Sequence, residues 1–267
     1  AWISAHCHVS RAGRKQVCSE QISFSLQGSS AKLLPNIVFS HLDSDLPFYL
    51  WWHGEFHDPM DPQLWIWVDR LIYDSHSWHH FEAQMRLIEV AREESNQRLV
   101  LCDLNWTRLV HVRLALAQFF DQPSCHSRLA AIIRVEIDFA PGFRSSAMLL
   151  VGWLAAQLEW TRKSGGAETK LSFSDPKGRV VEVAFQEKAG EPIGRCTIFC
   201  ATTQLRVIHP AGSDLLEVST QVSGKLRMHQ LMPAGSNEPV QLISEELMRG
   251  GPHRIYLRAV EAVRDLL

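Results

Sequence analysis

The sequence predicts an α/β protein: a mostly parallel sheet layered with helices, followed by a smaller antiparallel β-rich domain closed by two terminal helices. Three observations predict it. Short apolar strands alternate with helical stretches of about ten to sixteen residues as far as Trp160. A polar, Gly-containing connector then runs from Arg162 to Glu168. Beyond it, strand-like segments recur roughly every ten residues, the spacing of an antiparallel meander. The expected division is 1–163 for the α/β domain and 170–267 for the meander with its two helices, with the boundary near residue 165.

Ala1–Val9 and Gln16–Leu26 read as strands, the second alternating Ile22, Phe24 and Leu26 with Ser23 and Ser25. Arg11-Ala12-Gly13-Arg14 is turn-like between them, since Gly13 is free to take a positive φ. A helix over Ala31–Leu42 and a short strand Phe48–Trp52 follow. Asp61-Pro62 is a helix start, an N-cap acid before proline at N1, with Leu64, Val68 and Leu71 on one face. Ile72-Tyr73 begins the next strand; Phe81, Met85 and Ile88 form a helical stripe; Leu99–Cys102 is a buried strand. Leu109, Val112, Leu116 and Phe119 mark another helix, Ile133, Val135 and Ile137 an alternating strand, and Ser145–Trp160 a helix apolar almost all round. The meander is expected in Leu171–Ser174, Val180–Phe185, Cys196–Ala201, Leu205–Ile208 and Leu215–Val218, and the closing helices near Gln241–Met248 and Arg254–Leu267.

Composition bounds the function. The chain has 267 residues, 27 Lys+Arg against 29 Asp+Glu, and a net charge of −2, which argues against a nucleic-acid partner. Protonating all 13 histidines carries that charge to +11, so polyanion binding in mild acid says little about function. The longest apolar stretch, Ala147 to Leu158, is shorter than the roughly 20 residues that span a bilayer. Six cysteines are too sparse for a disulfide scaffold. A cytoplasmic protein away from membranes is expected. The chain begins at Ala1 inside an expected strand, without Met, and an upstream segment is expected.

Chemical motifs are scarce. There is no G-x-G-x-x-G, no P-loop and no nucleophile elbow; Gly28-Ser29-Ser30-Ala31-Lys32 has the wrong spacing. No cofactor is therefore assigned. His53, Glu55, His57, Asp58 and Asp61 form one polar cluster, and His76, His79 and His80 another, in which His76 and His80 could share a helix face and bind zinc. They read better as a polar loop and a solvated helix start, and no metal is assigned. Asn105-Trp106-Thr107 reads as a strand-to-helix turn capped by Asn105 or Thr107.

Tryptophan stands out. Five of the nine, Trp51, Trp52, Trp65, Trp67 and Trp78, fall within one short segment. Core packing accounts for at least half. Neighbours on a strand and residues two apart on a helix point to opposite sides, so some must meet a second layer, a partner or solvent. Trp51, Trp52, Trp65 and Trp67 are thus candidates for a partner interface. Among the cysteines, a hairpin closed at Arg11–Arg14 places Cys7 opposite Cys18, within reach of a cross-strand disulfide. Cys196 and Cys200 share a strand face but lie about 13 Å apart, beyond the disulfide limit of roughly 7 Å between Cα atoms.

Four segments occur in order: Ala1-Trp2-Ile3-Ser4-Ala5-His6-Cys7, Val17-Cys18-Ser19-Glu20-Gln21-Ile22, Asp45-Leu46-Pro47-Phe48-Tyr49-Leu50-Trp51-Trp52 and Asp103-Leu104-Asn105-Trp106-Thr107-Arg108. With these, and with an ending from Glu245-Glu246-Leu247 to Leu267, the chain resembles the OpcA family, the glucose-6-phosphate dehydrogenase assembly proteins. Asp45, Pro47, Asp103, Asn105, Trp106 and Arg108 carry much of the likeness.

The resemblance implies a non-catalytic partner that binds glucose-6-phosphate dehydrogenase, promotes its active oligomer and raises its activity, supplying NADPH through the oxidative pentose phosphate pathway. In photosynthetic relatives it also implies redox control through cysteines answering to thioredoxin. Cys196 and Cys200 are the first candidates for that role, Cys7 and Cys18 the second. Two alternatives stand beside it. One is an enzyme acting on a sugar phosphate through an unmarked α/β cleft lined by Asp103, Asn105 and Arg108; the other is a zinc-stabilised binding module.

Overall fold

The computed structural model describes residues 1–9, 16–28, 33–42, 46–57, 62–95, 98–121, 126–163, 169–249 and 253–264. The turn at Arg11–Arg14, the residues Ser29–Lys32, Asp45, Asp58 and Asp61, most of the connector after Lys163 and the last three residues lie outside this set. The chain forms two compact units, Ala1–Pro47 and Phe48–Leu267.

The first unit holds an antiparallel hairpin, β1 (Trp2–Val9) and β2 (Gln16–Ser23), and a short helix α1 (Leu34–Phe39) with Pro35 in its first turn. The hairpin register runs from Trp2 opposite Ser23 to Val9 opposite Gln16, and so sets Cys7 against Cys18. The two are joined by a disulfide, with Cα atoms 4.0 Å apart.

The second unit contains a parallel sheet of β3 (Tyr49–Trp51), β4 (Arg70–Tyr73) and β5 (Val100–Asp103), in that order. Helix α2 is a single turn, Pro62–Trp65, so Leu71 lies on a strand and does not continue a helical face with Leu64 and Val68. Asp69 fixes the entry to that strand: its backbone N–H donates to Phe48 O (2.9 Å) while its carboxylate accepts from Phe48 N–H (2.8 Å), starting the β3–β4 ladder. The crossover to β5 is helix α3 (Phe81–Glu94), which buries Met85, Ile88 and Ala91. A one-turn helix α4 (Leu104–Arg108), then α5 (Val110–Phe120) and α6 (His126–Leu129), follow β5.

The larger sheet has eight strands. Its members are β6 (Ile132–Phe139), β7 (Thr161–Arg162), β8 (Lys170–Ser174), β9 (Val180–Glu187), β10 (Ile193–Cys200), β11 (Thr203–Ile208), β12 (Leu215–Val222) and β13 (Lys225–Pro233). They lie in the order β13-β12-β11-β10-β6-β9-β8-β7. Strand β6 sits between β10, to which it is antiparallel, and β9, to which it is parallel. The composition change near residue 165 therefore falls between two neighbouring strands of one sheet, β7 and β8. A register shift at Phe199/Cys200 sets Ile132 opposite Cys200, so Ile132 is buried and Ile133 faces out, against the simple alternation expected. The edge strand β13 was not expected. Its residues are exposed apart from Met228 and Met232, which pack against the core, and it carries little period-two signal.

Helix α7 (Arg144–Leu158) is buried from Ser146 to Val151 and lies under the terminal helix α9 (Arg254–Arg264). Gly152 allows that approach: a Cβ there would stand 2.5 Å from Ala259 O and from Val263 Cγ2. Helix α8 (Pro239–Met248) buries Leu242 and Glu246. No helix among the described residues is long and apolar enough to cross a membrane.

Candidate functional site

The parallel sheet ends twice in the same way: an apolar strand runs into an aspartate that caps a helical turn. After β4, Asp74 accepts from His76 N–H (3.4 Å) and starts a 3-10 turn, Ser75–Ser77. After β5, Asp103 accepts from Asn105 N–H (3.0 Å) and starts α4. Asp103, rather than Asn105 or Thr107, is thus the N-cap of this turn. A buried acceptor beside the first free N–H groups of a helix satisfies donors that water cannot reach.

These caps join in one buried polar network. Asp103 also accepts from Ser75 N–H (3.0 Å), Ser75 Oγ (2.7 Å) and the Tyr256 hydroxyl (3.1 Å). Asn105 donates to Ser75 Oγ and Ser145 Oγ (both 3.1 Å) and accepts from Ser146 Oγ. Arg108, with a side chain only 5% exposed, donates to both carboxylate oxygens of Asp74 (2.8 and 3.2 Å) and lies over the Phe143 ring. Burial pushes the Asp103 carboxyl up, the charge on Asp74 adds to it, and the two outweigh the Ser75 and Asn105 hydrogen bonds to leave it at about 6. At Asp74 burial also opposes ionisation, but the His76 and Arg108 contacts win and hold it at about 2.

A second polar group lies behind α4. Glu246 accepts from Thr107 Oγ1 and from Arg249 Nη1 (3.0 Å), both on Oε1. Cys102 Sγ, Glu246 and His253 place one possible ligand atom each within 4.8 Å of one another. Burial, with the Glu246 charge added, raises the Cys102 thiol to about 12 despite a contact from Arg70.

The structure separates the other residues picked out from the sequence. Trp65 is 1% exposed and packs with Phe56 and Trp52, so it belongs to the core; Trp78 is buried against Tyr73. Trp52 is half-buried, stacked on Phe56, with its N–H donated to Glu55 O. Trp51, on the edge strand β3, and Trp67 are 42% and 50% exposed. His76 and His80 share no helix face, because His76 sits in the 3-10 turn and α3 begins only at Phe81. His76 instead meets Asp74, and His79 meets Glu55. Cys7 and Cys18 are exposed, whereas Cys196 and Cys200 are buried four residues apart on β10; burial raises the Cys196 thiol to about 12.

Of the family-motif residues, Asp103, Asn105, Trp106 and Arg108 fall together on α4 and its cap, all buried or nearly so, while Pro47 is exposed. Asp103, Asn105 and Arg108 turn inward, each held by internal hydrogen bonds. Sequence reading missed Asp74, Ser75, Ser145, Ser146, Glu246 and Tyr256. Asp74 carried a signal, an acid directly after Ile72-Tyr73 that repeats the pattern of Asp103 after Leu101-Cys102.

Two family models match the chain, both for the glucose-6-phosphate dehydrogenase subunit. Its N-terminal domain matches residues 1–90, and its C-terminal domain matches residues 100–260. The chain belongs to the OpcA family. Among curated OpcA proteins, the putative OxPP cycle protein OpcA of Nostoc punctiforme is 30% identical over 72% of this chain and 42% of its own length. That of Synechocystis is 27% identical over 100% of this chain and 60% of its own length, so the chain spans about half the length of the relatives it matches. The OpcA fold also has a faint likeness to solved dehydrogenases. One from Chromobacterium violaceum aligns over 86% of this chain and 77% of its own at 9% identity and a TM-score of 0.45. Levoglucosan dehydrogenase aligns over 83% and 69% at 12% identity and a TM-score of 0.42.

Proposed function

We propose that this OpcA-family chain is a non-catalytic cytoplasmic partner that binds glucose-6-phosphate dehydrogenase, favours its active oligomer and activates it allosterically under thiol/disulfide control. The observation that carries this reading is the pair of family matches over 1–90 and 100–260, both described as domains of a glucose-6-phosphate dehydrogenase subunit. The inward-turned motif residues support a partner over an enzyme, because Asp103, Asn105 and Arg108 are occupied in holding α4 to the sheet ends. The exposed Trp51 and Trp67 supply the aromatic anchors that protein interfaces favour. An activator of this kind acts by binding the active conformation more tightly, and a coupling of about 1–3 kcal/mol changes affinity roughly 5- to 150-fold.

For the redox step, exposure favours Cys7–Cys18 over Cys196 and Cys200. A dithiol such as thioredoxin would reduce the exposed disulfide to two thiols and itself become the disulfide. The test is dehydrogenase activity at low glucose 6-phosphate, with and without the chain, in oxidising and reducing buffer. Activation in one buffer only supports the whole proposal, and equal activation in both removes the switch. Absence of both activation and binding overturns the partner role.

A further inference from the structure

We infer that Cys102, Glu246 and His253 form a site for one divalent transition-metal cation of the zinc class. This inference does not depend on the dehydrogenase-partner reading. The three side chains come from the end of β5, from α8 and from the residue before α9, and among the described residues they are the only group of three or more His, Cys, Asp or Glu whose ligand atoms converge.

Four observations carry it. Glu246 is 1% exposed, and its Oε1 is engaged by Thr107 and Arg249 while its Oε2 is left facing His253. Glu246 Oε2 and His253 Nε2 pair with each other at 3.1 Å, and among the described residues neither buried atom has a further hydrogen-bond partner. Release of the proton they share would leave two converging lone pairs slightly closer than the roughly 3.3–3.7 Å between donor atoms around tetrahedral zinc, so the pair opens by a few tenths of an ångström to take an ion. Cys102 Sγ completes the triangle within 4.8 Å.

The surroundings suit a cation of this class. Thr107 and Arg249 orient the carboxylate as an outer shell does in metal sites. Leu104, Leu242 and Ile72 wall the thiol with apolar surface. A thiolate with an imidazole selects a borderline or soft cation and disfavours Mg²⁺ and Ca²⁺, which need oxygen donors. Arg70, 3.7 Å from Cys102 Sγ, is part-exposed, so it can swing outward as the cation takes over neutralising the thiolate. His253 lines two surface cavities, of about 500 and 190 Å³, and is the member of the cluster nearest solvent. A bound ion would tie both terminal helices to the end of the parallel sheet.

The experiment uses tag-free full chain, stripped by chelator with the Cys7–Cys18 disulfide intact and titrated anaerobically with Co²⁺. The expected result is one Co²⁺ per chain with a thiolate-to-cobalt charge-transfer band, displaced by Zn²⁺. Cys102→Ser should abolish the band, and His253→Asn should weaken binding by at least about tenfold. His253 is part-exposed, so its variant decides the matter if Cys102→Ser does not fold. No stoichiometric binding, a band that persists in Cys102→Ser, or unchanged affinity in His253→Asn would each overturn the site.

Discussion

Tyr73 and Tyr256, 183 residues apart in sequence, share a buried hydroxyl–hydroxyl hydrogen bond of 2.7 Å, and Tyr256 passes the chain on to Asp103 at 3.1 Å. The C-terminal helix thereby completes the polar network at the ends of β4 and β5. Both tyrosines are fully buried, so their hydroxyls have no water to turn to.

Tyr256→Phe removes this link without changing the ring. Tyr73 then loses its hydroxyl partner and Asp103 one of its donors, an unsatisfied-group cost of about 1–3 kcal/mol. The expected result is a lower urea midpoint with an unchanged slope. An unaltered midpoint would show that the Tyr73–Tyr256–Asp103 chain contributes nothing net.

Asp74 gives a pH signature. Its carboxyl is held at about 2, below the ordinary 3.8, because the His76 and Arg108 contacts exceed the penalty of burial. A depressed carboxyl stabilises the fold fully above its unfolded value and loses that contribution as pH falls through its folded value. The window is therefore about pH 4 down to about pH 2, and the size is roughly 2 kcal/mol. Asp74→Asn should be less stable than the parent at neutral pH, and the difference should close across that window. Unfolding midpoints that stay parallel from neutral pH to pH 2 would contradict the assignment.

Gly152 tests the packing of α7 on α9. A methyl group there meets backbone, Ala259 O at 2.5 Å, so the helices must separate. Gly152→Ala improves helix propensity by about 1 kcal/mol, yet overpacking costs about 1–3 kcal/mol, and the net expectation is destabilisation. Faster amide exchange in α9 than in α3 would place the loss at this contact; a stabilised variant would show that α9 moves freely.

Much of the architecture is legible because it rests on local pattern. The stripe of Phe81, Met85 and Ile88 makes α3, and the near-uniform apolarity of Ala147–Ala155 makes a helix buried on all sides. What escaped depends on partners distant in sequence. Leu71 continues a helical period from Leu64, but the ladder to β3 takes it into a strand. The ten or so residues between successive strands from β10 onward describe a meander, yet nothing local tells β9 and β10 to accept β6 between them. The site divides in the same way. Asp103, Asn105 and Arg108 stand in one short motif, whereas Glu246, His253 and Tyr256 reach the strand ends from the far end of the chain through tertiary packing alone.

The redox prediction follows from thiol accessibility. Exchange with a dithiol requires a sulfur that an attacking thiolate can reach, and leaving sulfurs that ionise near ambient pH. The Cys7–Cys18 disulfide is exposed on a two-stranded hairpin, while Cys196 is fully buried in the middle of an eight-stranded sheet with its thiol raised to about 12. Reduction should therefore be confined to the hairpin under native conditions. Mass spectrometry after brief thioredoxin treatment and alkylation should find label on Cys7 and Cys18 and none on Cys196 until denaturant is added. In the dehydrogenase assay, Cys7→Ser and Cys18→Ser should each give the same activation in oxidising and reducing buffer. Cys196→Ser should keep the redox response and lose about 1–3 kcal/mol of stability, because a buried hydroxyl replaces the thiol. A redox response that survives in Cys7→Ser and vanishes in Cys196→Ser would move the switch into the sheet and require β10 to open before its free thiol can be oxidised.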